Sequence, residues 1–340
     1  MKAAIFYGPR DIRTEEVKKP DIQDNEVLIH VKSCGICGSD LHLYKLGLYS
    51  DSLTKPTSKG GIPGHEISGD IIKVGTKVQG LEEGDRVAAV NIMGGMADYV
   101  SVPVVPGFTV LNLPQKISYE EAATLDPICN SLHSISKGNP SKGENIVIFG
   151  VGAIGLGIIQ CFKSLNMDLK KIIAVDISDY RLKVAKQFGA DNIINAAVDD
   201  PNEKILEYVD SIPWMLSPSI TFPAVDKVFD CVGYMKDHPG LSVFQQAMNM
   251  VRPITGKIIV TGLFEENVSL DLSPLVFKQV NVIGSFGFTP MDIKQGLELM
   301  QFKKINRLNL ISHEFSLNQA KEAFEMASNI NESLKVLIKP

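Results

Sequence analysis

Residues 146–157 read IVIFGVGAIGLG, four apolar residues running into Gly150, Gly152 and Gly155 at GxGxxG spacing. The first glycine of such a turn allows a tight bend and the second lets backbone approach a pyrophosphate. The third lets the following helix lie close on the sheet, and its N-terminus then faces the phosphates. Spacing alone is a weak signal. Here the next apolar segment, KIIAVD at 171–176, ends in Asp176, whose carboxylate can accept from both ribose hydroxyls and repels the extra phosphate of NADP. NAD is therefore the expected dinucleotide, with Ile154 inside the turn along its path. Arg181, just beyond Asp176, is expected either over the adenine or on a solvated helix face.

Working outward, NIVIFG, KIIAVDIS, AVDKVFDCVG, GKIIVTG and VNVIGSFG alternate with helical segments such as RLKVAKQFGA between about residues 131 and 285. That alternation predicts a doubly wound parallel sheet. Before it, short alternating runs such as EVLIHVKSC, ISGDIIKVGTKV, GDRVAAV and ADYVSVP, punctuated by Gly and Pro, predict a barrel-like all-β region. After it, MDIKQGLELMQFKKI is helical in spacing and SLKVLIKP is strand-like, a segment able to return to the β region. Residues 211–224, SIPWMLSPSITFPA, carry three prolines and the sole tryptophan, and are expected to form a loop insertion.

At 340 residues, 44% apolar and 21% charged, the chain can bury two cores. A net charge of −5 with scattered Lys and Arg argues against a nucleic-acid surface and for small ligands. The longest uncharged apolar run, 146–159, is too short to cross a bilayer, so no membrane span is expected. Acidic residues follow closely on the first apolar ones, and the cysteines number five, which fits a reduced, cytoplasmic protein.

The stretch SCGICGSDLHLY, 33–44, poses the chemical question. A redox CxxC opens a helix inside a βαβ unit, whereas Cys34 and Cys37 follow a strand of the β-rich region, and a zinc ribbon needs a second CxxC that the chain lacks. Further on, GHEISGDIIKVGTKV places His65 and Glu66 side by side. Cys37, His65 and one carboxylate would make a three-ligand tetrahedral zinc site with one position open, the arrangement of a catalytic centre.

The spacing GHExxGxxxxxGxxV, from Gly64 through Gly69 and Gly75 to Val78, resembles the signature of the zinc-dependent medium-chain alcohol dehydrogenases. CGICGSDLH is similar to their first zinc-ligand loop, and the likeness extends through EEGDRV, the glycine turn and FDCVG to LKVLIKP. The resemblance implies an α/β protein with a GroES-like β-barrel catalytic domain, residues 1–130 and 286–340. It implies a Rossmann NAD-binding domain, residues 131–285, and an active site in the cleft between them. It makes Cys37, His65 and Asp126 the firm zinc ligands, with Cys129 a competitor, and Glu66 a ligand or near-ligand exchanging with water. Asp40 is implied to orient His65, and Ser39 and His42 to relay the proton. Gly262, Leu263, Ser285 and Phe286 are placed at the nicotinamide, and Lys335 near the pyrophosphate. The apolar final strand VNVIGSFGF, an uncovered sheet edge, predicts pairing with its copy and so a homodimer or homotetramer.

Two departures from the family pattern matter. The four-cysteine lobe that holds a second zinc in many members is missing after GDRV, so one zinc per chain is expected. The polyol and threonine dehydrogenase branch is the nearest pattern. Yet Leu43 and Gly287-Phe288 stand where polyol enzymes carry hydroxyl-binding groups, so a less polar secondary alcohol or ketone is the expected substrate. Leu43, Leu46, Ile92, Met93, Phe286 and Phe288 would form its apolar wall, or else the polar loop 49–61 lines the pocket. The competing readings are a zinc-free enone or quinone reductase of the same superfamily and a non-catalytic dinucleotide-binding protein.

Overall fold

Strand Glu26–Gly35 turns Val27, Ile29 and Val31 toward one core, and a register shift between Val31 and Ser33 then brings Cys34 to the same face. The computed structural model describes residues 1–53, 60–215, 217–235 and 240–340, and the chain divides into two units, Met1–Pro127 with Thr289–Pro340 and Ile128–Phe288. In the first unit, Glu26–Gly35 is the hub of a seven-stranded sheet. It pairs antiparallel with Glu66–Val74, Tyr99–Pro103 and the C-terminal strand Lys335–Lys339. Beyond Glu66–Val74 come Arg86–Val90 and Val110–Asn112, and beyond Lys335–Lys339 comes Ile311–Ser316. Helix Ala320–Ser328 adds Ala323 and Phe324 to the core built by Ile5, Ile29, Ile67 and Val87. Each such fully buried side chain contributes about 1.5–3 kcal/mol of transfer free energy.

Helix Gly38–Leu46 leaves the end of the hub strand and stops at Gly47, whose φ of 74° is easy only for glycine. Its buried positions, Asp40, Leu43 and Tyr44, recur at the three- and four-residue spacing of one helical face. Ser39 and His42 are half-buried and Leu46 is exposed. Leu43 accordingly packs with Phe6 and Leu53 in a small core cluster, and Ile92 packs against the barrel core. Met93, another residue of the expected wall, packs against the Leu43 cluster. Of the alternative polar loop 49–61, residues 54–59 lie outside the described residues.

The second unit is a parallel sheet of six strands in the order Asn192–Asn195, Lys171–Asp176, Asn145–Phe149, Lys227–Asp230, Lys257–Val260, Asn281–Gly284. This order reverses direction between Asn145–Phe149 and Lys227–Asp230, and in such sheets ligands bind outside the strand ends at that switch point. Helices Ala153–Ser164, Asp179–Phe188 and Val243–Met250 alternate with the strands. Phe162 and Phe229 meet edge to face at 5.8 Å in the core, a geometry worth about 0.5–1.5 kcal/mol beyond burial.

One expectation is corrected here. Residues 211–224 are not a loop but an antiparallel hairpin of Ser211–Trp214 with Ser217–Pro223, in which Ile212 faces Phe222 and Trp214 meets the Phe222 ring edge-on. Two strands with no third partner leave outer N–H groups unneeded, so proline is tolerated within them. Among the described residues no helix is long and apolar enough to cross a membrane.

Candidate active site

The register of the first unit's sheet puts Gly35 directly opposite Glu66. That pairing sets the start of one strand, with His65 just before it, against the end of another, with Cys37 two residues on. Side-chain donor atoms of Cys37, His65 and Glu66 all lie within 4.8 Å of one another, the single such group found among the described residues. A side chain at position 35 would collide with the Glu66 carboxylate and come within 2.8 Å of Lys335 Cε, so close approach requires glycine there.

Asp40, 1% exposed, accepts a hydrogen bond from Cys37 N at 2.9 Å and so pins the ligand loop. Its other oxygen is 3.9 Å from His65 Nδ1, beyond hydrogen-bond range. The expected Asp40–His65 hydrogen bond is thus replaced by an electrostatic contact, because the carboxylate is committed to the Cys37 backbone.

Asp126 sits in the first turn of helix Leu125–Gly138, buried and near enough to influence His65, but outside the group of three. Glu66, at the start of strand Glu66–Val74 and next to His65, is the third member of that group. Burial pushes Asp126 up to about 6. Cys129 is fully buried in the second unit.

The chemistry of the pocket calls for a cation. Burial alone would lower His65, yet Cys37, Asp40 and Asp126 around it outweigh that and hold the ring well above its ordinary value. His65 Nδ1 and Glu66 Oε1 are buried without a hydrogen-bond partner among the described residues. A thiol, an imidazole and a carboxylate are the donor set of a catalytic zinc, so the residues fit that ion. Ser39 and His42, three residues apart on helix Gly38–Leu46, are neighbours on its surface and both half-buried.

Lys335, only 1% exposed, forms an ion pair with Glu66 Oε2 and donates to the Ile36 carbonyl at 2.8 Å, so its ammonium is engaged beside the Cys37, His65 and Glu66 group.

In the second unit the glycine turn forms as the spacing requires. Gly150 has φ 80°, a side chain there would strike Val232, and one on Gly155 would strike the Gly150 carbonyl. Ile154, in the first turn of helix Ala153–Ser164, accepts from Ser131 Oγ at 2.9 Å. Asp176 holds this end of the sheet by accepting from Val151 N at 2.8 Å and Ser178 N at 2.9 Å. Arg181 is half-buried, and its Nη1 lies 3.7 Å from where a Gly152 Cβ would stand, so it covers the turn rather than a solvated face.

Thr261, Gly262, Leu263, Ser285, Phe286 and His133 line a cleft of about 470 Å³. Beneath it a hydroxyl cluster that sequence reasoning missed joins Ser134 to Thr261 at 2.9 Å and to Ser285 at 3.1 Å. Also missed was Asp230 of FDCVG. Fully buried, it accepts from Val232 N at 3.0 Å and Gly233 N at 2.8 Å, and burial pushes it up to about 6. Asp230 was visible in the motif, but its role depends on which backbone amides fold back upon it.

A family model for the alcohol dehydrogenase GroES-like domain matches residues 23–114, and one for zinc-binding dehydrogenases matches residues 153–301. A sorbitol dehydrogenase of Bombyx mori is 30% identical, the match covering 99% of this chain and 97% of the relative. An L-idonate 5-dehydrogenase of Vitis vinifera is 29% identical over 98% of this chain and 93% of its own. The crystal structure of 2R,3R-butanediol dehydrogenase from Bacillus subtilis superposes with a TM-score of 0.78 at 26% identity, covering 100% of this chain and 99% of that one. With a zinc-type ligand group and an NAD-type glycine turn both formed, the chain belongs to the zinc-dependent medium-chain alcohol dehydrogenases, on their polyol dehydrogenase branch, and is an oxidoreductase moving a hydride between NAD(H) and a secondary alcohol or its ketone.

Proposed function

We propose that Cys37, His65 and Glu66 hold one zinc per chain, with Asp126 as a nearby anion, and that the substrate is a secondary alcohol carrying a neighbouring hydroxyl. The observation that supports the metal assignment is the convergence of three donor atoms of suitable type with two buried, unpartnered polar atoms among them. When bound, zinc supplies Lewis acidity that lowers an alcohol's pKa toward neutrality.

The chain's own groups then divide the work. Ser39 accepts the substrate proton and His42, on the same helical face, passes it outward. Asp40 keeps the Cys37 loop in place. The backbone amides after Gly150 and Gly152 and the N-terminus of helix Ala153–Ser164 bind the pyrophosphate, Asp176 takes the ribose hydroxyls, and Arg181 covers the turn. Gly262, Leu263, Ser285 and Phe286 hold the nicotinamide face in their cleft. The first unit is thus the catalytic domain and the second the NAD domain.

The diol preference rests on two observations. Leu43 and Ile92 lie in core clusters, which removes part of the wall that would reject hydroxyls. Sorbitol and butanediol, named for the similar proteins, both carry adjacent hydroxyls on secondary carbons. Catalytic efficiency compared for 2-butanol, 2,3-butanediol and sorbitol with NAD tests this. The diol should exceed 2-butanol by about tenfold, roughly 1.4 kcal/mol of transition-state preference, and a lead for 2-butanol rejects it.

Strand Asn281–Gly284 closes one edge of the parallel sheet with Val282 41% exposed, and Val276 and Phe277 nearby in sequence are each 72% exposed. An open apolar edge favours pairing with its copy, so a homodimer or dimer of dimers is the proposed assembly. Light scattering giving a monomer at working concentration would exclude it. None of the five cysteines is in a disulfide, as suits a cytoplasmic protein.

A further inference from the structure

Lys335 and Glu66 are almost completely enclosed, with side chains 2% and 0% exposed. Removing two charges from water is costly, and their mutual attraction compensates only when the geometry is close and the remaining protons find acceptors. Both conditions hold: the ammonium is paired with Glu66 Oε2, and it donates to the Ile36 carbonyl at 2.8 Å. Ile36 immediately precedes Cys37, so one cation reaches both the cysteine loop and the carboxylate of the metal group. Gly35 keeps the space clear for it, since a side chain there would occupy the positions of the Glu66 carboxylate and Lys335 Cε.

The carboxylate therefore has two claimants. One oxygen, Oε2, is drawn to the ammonium, the other, Oε1, has no hydrogen-bond partner among the described residues, and the carboxylate is a member of the group with Cys37 and His65. We propose that Lys335 is a positioning residue that competes with the metal for Glu66, holding the carboxylate back so that Cys37 and His65 grip the ion while the third protein position remains readily exchangeable. This rests on the assignment of Cys37, His65 and Glu66 as the metal group.

Competition of this kind is reciprocal. If the ammonium weakens the hold of the ion on Glu66, then removing the ammonium strengthens it, because the ion becomes the only counter-charge to a buried carboxylate. A residue serving the fold alone would behave in the opposite way, its loss loosening the loop and lowering affinity.

The test is zinc affinity, measured by competition with a chromophoric chelator, on the full-length enzyme and on Lys335→Met, Lys335→Arg, Glu66→Gln and the double variant Lys335→Met/Glu66→Gln. Methionine preserves most of the apolar stem, and circular dichroism of each metal-free protein reports folding. Lys335→Met should bind zinc at least tenfold more tightly, equivalent to about 1.4 kcal/mol. Lys335→Arg should stay within threefold of the unaltered enzyme, and the gain should vanish when Glu66 is also Gln. Cobalt-substituted Lys335→Met should show a shifted visible band, reporting a changed ligand set, and the double variant should not differ from Glu66→Gln. Unchanged or weaker affinity in folded Lys335→Met, or the same gain without Glu66, overturns the proposal. If Lys335→Met does not fold, the neutral double variant must fold and bind zinc as Glu66→Gln does, and its failure also overturns it. An unaltered enzyme that binds no zinc at all overturns the metal assignment instead, which separates the two readings.

Discussion

The dinucleotide turn and the metal pocket solve recognition in different ways. In the turn, from Gly150 to Asp176, the recognising groups are backbone amides and one carboxylate whose partners are already satisfied within the fold. In the pocket, Cys37, His65 and Glu66 bring together side chains whose polar atoms are partly orphaned, and the groups around His65 raise its pKa. The first surface is complete before its ligand arrives. The second is a set of thiol, imidazole and carboxylate donors that a metal ion would complete. Removing a group should therefore have graded consequences in the turn and steep ones in the pocket.

The steepest effect is expected at Cys37. Cys37→Ala removes one of three closely grouped donors, and zinc content should fall below about a tenth of a metal per chain. Losing several kcal/mol of transition-state stabilisation should lower catalytic efficiency about 10³-fold or more. Elemental analysis and steady-state kinetics measure both, and a variant that keeps its zinc would place the ion elsewhere.

A smaller effect, read as stability, is expected at Asp230 beneath the cofactor cleft. Its carboxyl titrates near 6 when folded against 3.8 for the ordinary group, because burial penalises the charge. The folded chain thus holds a proton that the unfolded chain has released. That stabilising contribution is complete below the lower value and is lost as pH rises through the higher one. Relative to Asp230→Asn, the unaltered protein should lose roughly 2 kcal/mol between pH 4 and pH 7. Urea denaturation of both proteins across that range gives the difference directly, and a pH-independent difference would show that Asp230 does not titrate there.

The smallest effect is expected at Asp176. Asp176→Ser removes the charge that disfavours the extra phosphate of NADP and also frees the Val151 and Ser178 amides. The ratio of catalytic efficiencies for NAD and NADP should narrow by about tenfold while the Michaelis constant for NAD rises. An unchanged ratio would move the discrimination to another residue, with Arg181 the first to examine.

Much of this protein could be read from its sequence because the information is local. The parallel sheet, the three turn glycines, Asp176 and the Cys37–His42 segment each lie within short stretches whose spacing carries their geometry. The hairpin at 211–223 was hidden by its prolines, which argue against a strand unless the strand has no outer neighbour. What Leu43 packs against could not be read from its adjacency to His42, because successive helix residues are turned about 100° apart, and it is buried in a small cluster with Phe6 and Leu53.

The sequence by itself determined which chemistries were present: a glycine turn for pyrophosphate, a carboxylate for ribose, and thiol, imidazole and carboxylate for a metal. Only the tertiary structure decided which carboxylate joins Cys37 and His65, and that Lys335 faces Glu66. Those partners are separated by up to about 300 residues of chain, Lys335 and the Ile36 carbonyl being 299 apart. The register of Gly35 against Glu66, and the return of the C-terminal strand beside them, bring the charges together. No local spacing encodes that meeting, because strand pairing is settled by the burial of whole faces and not by the residues that end up touching.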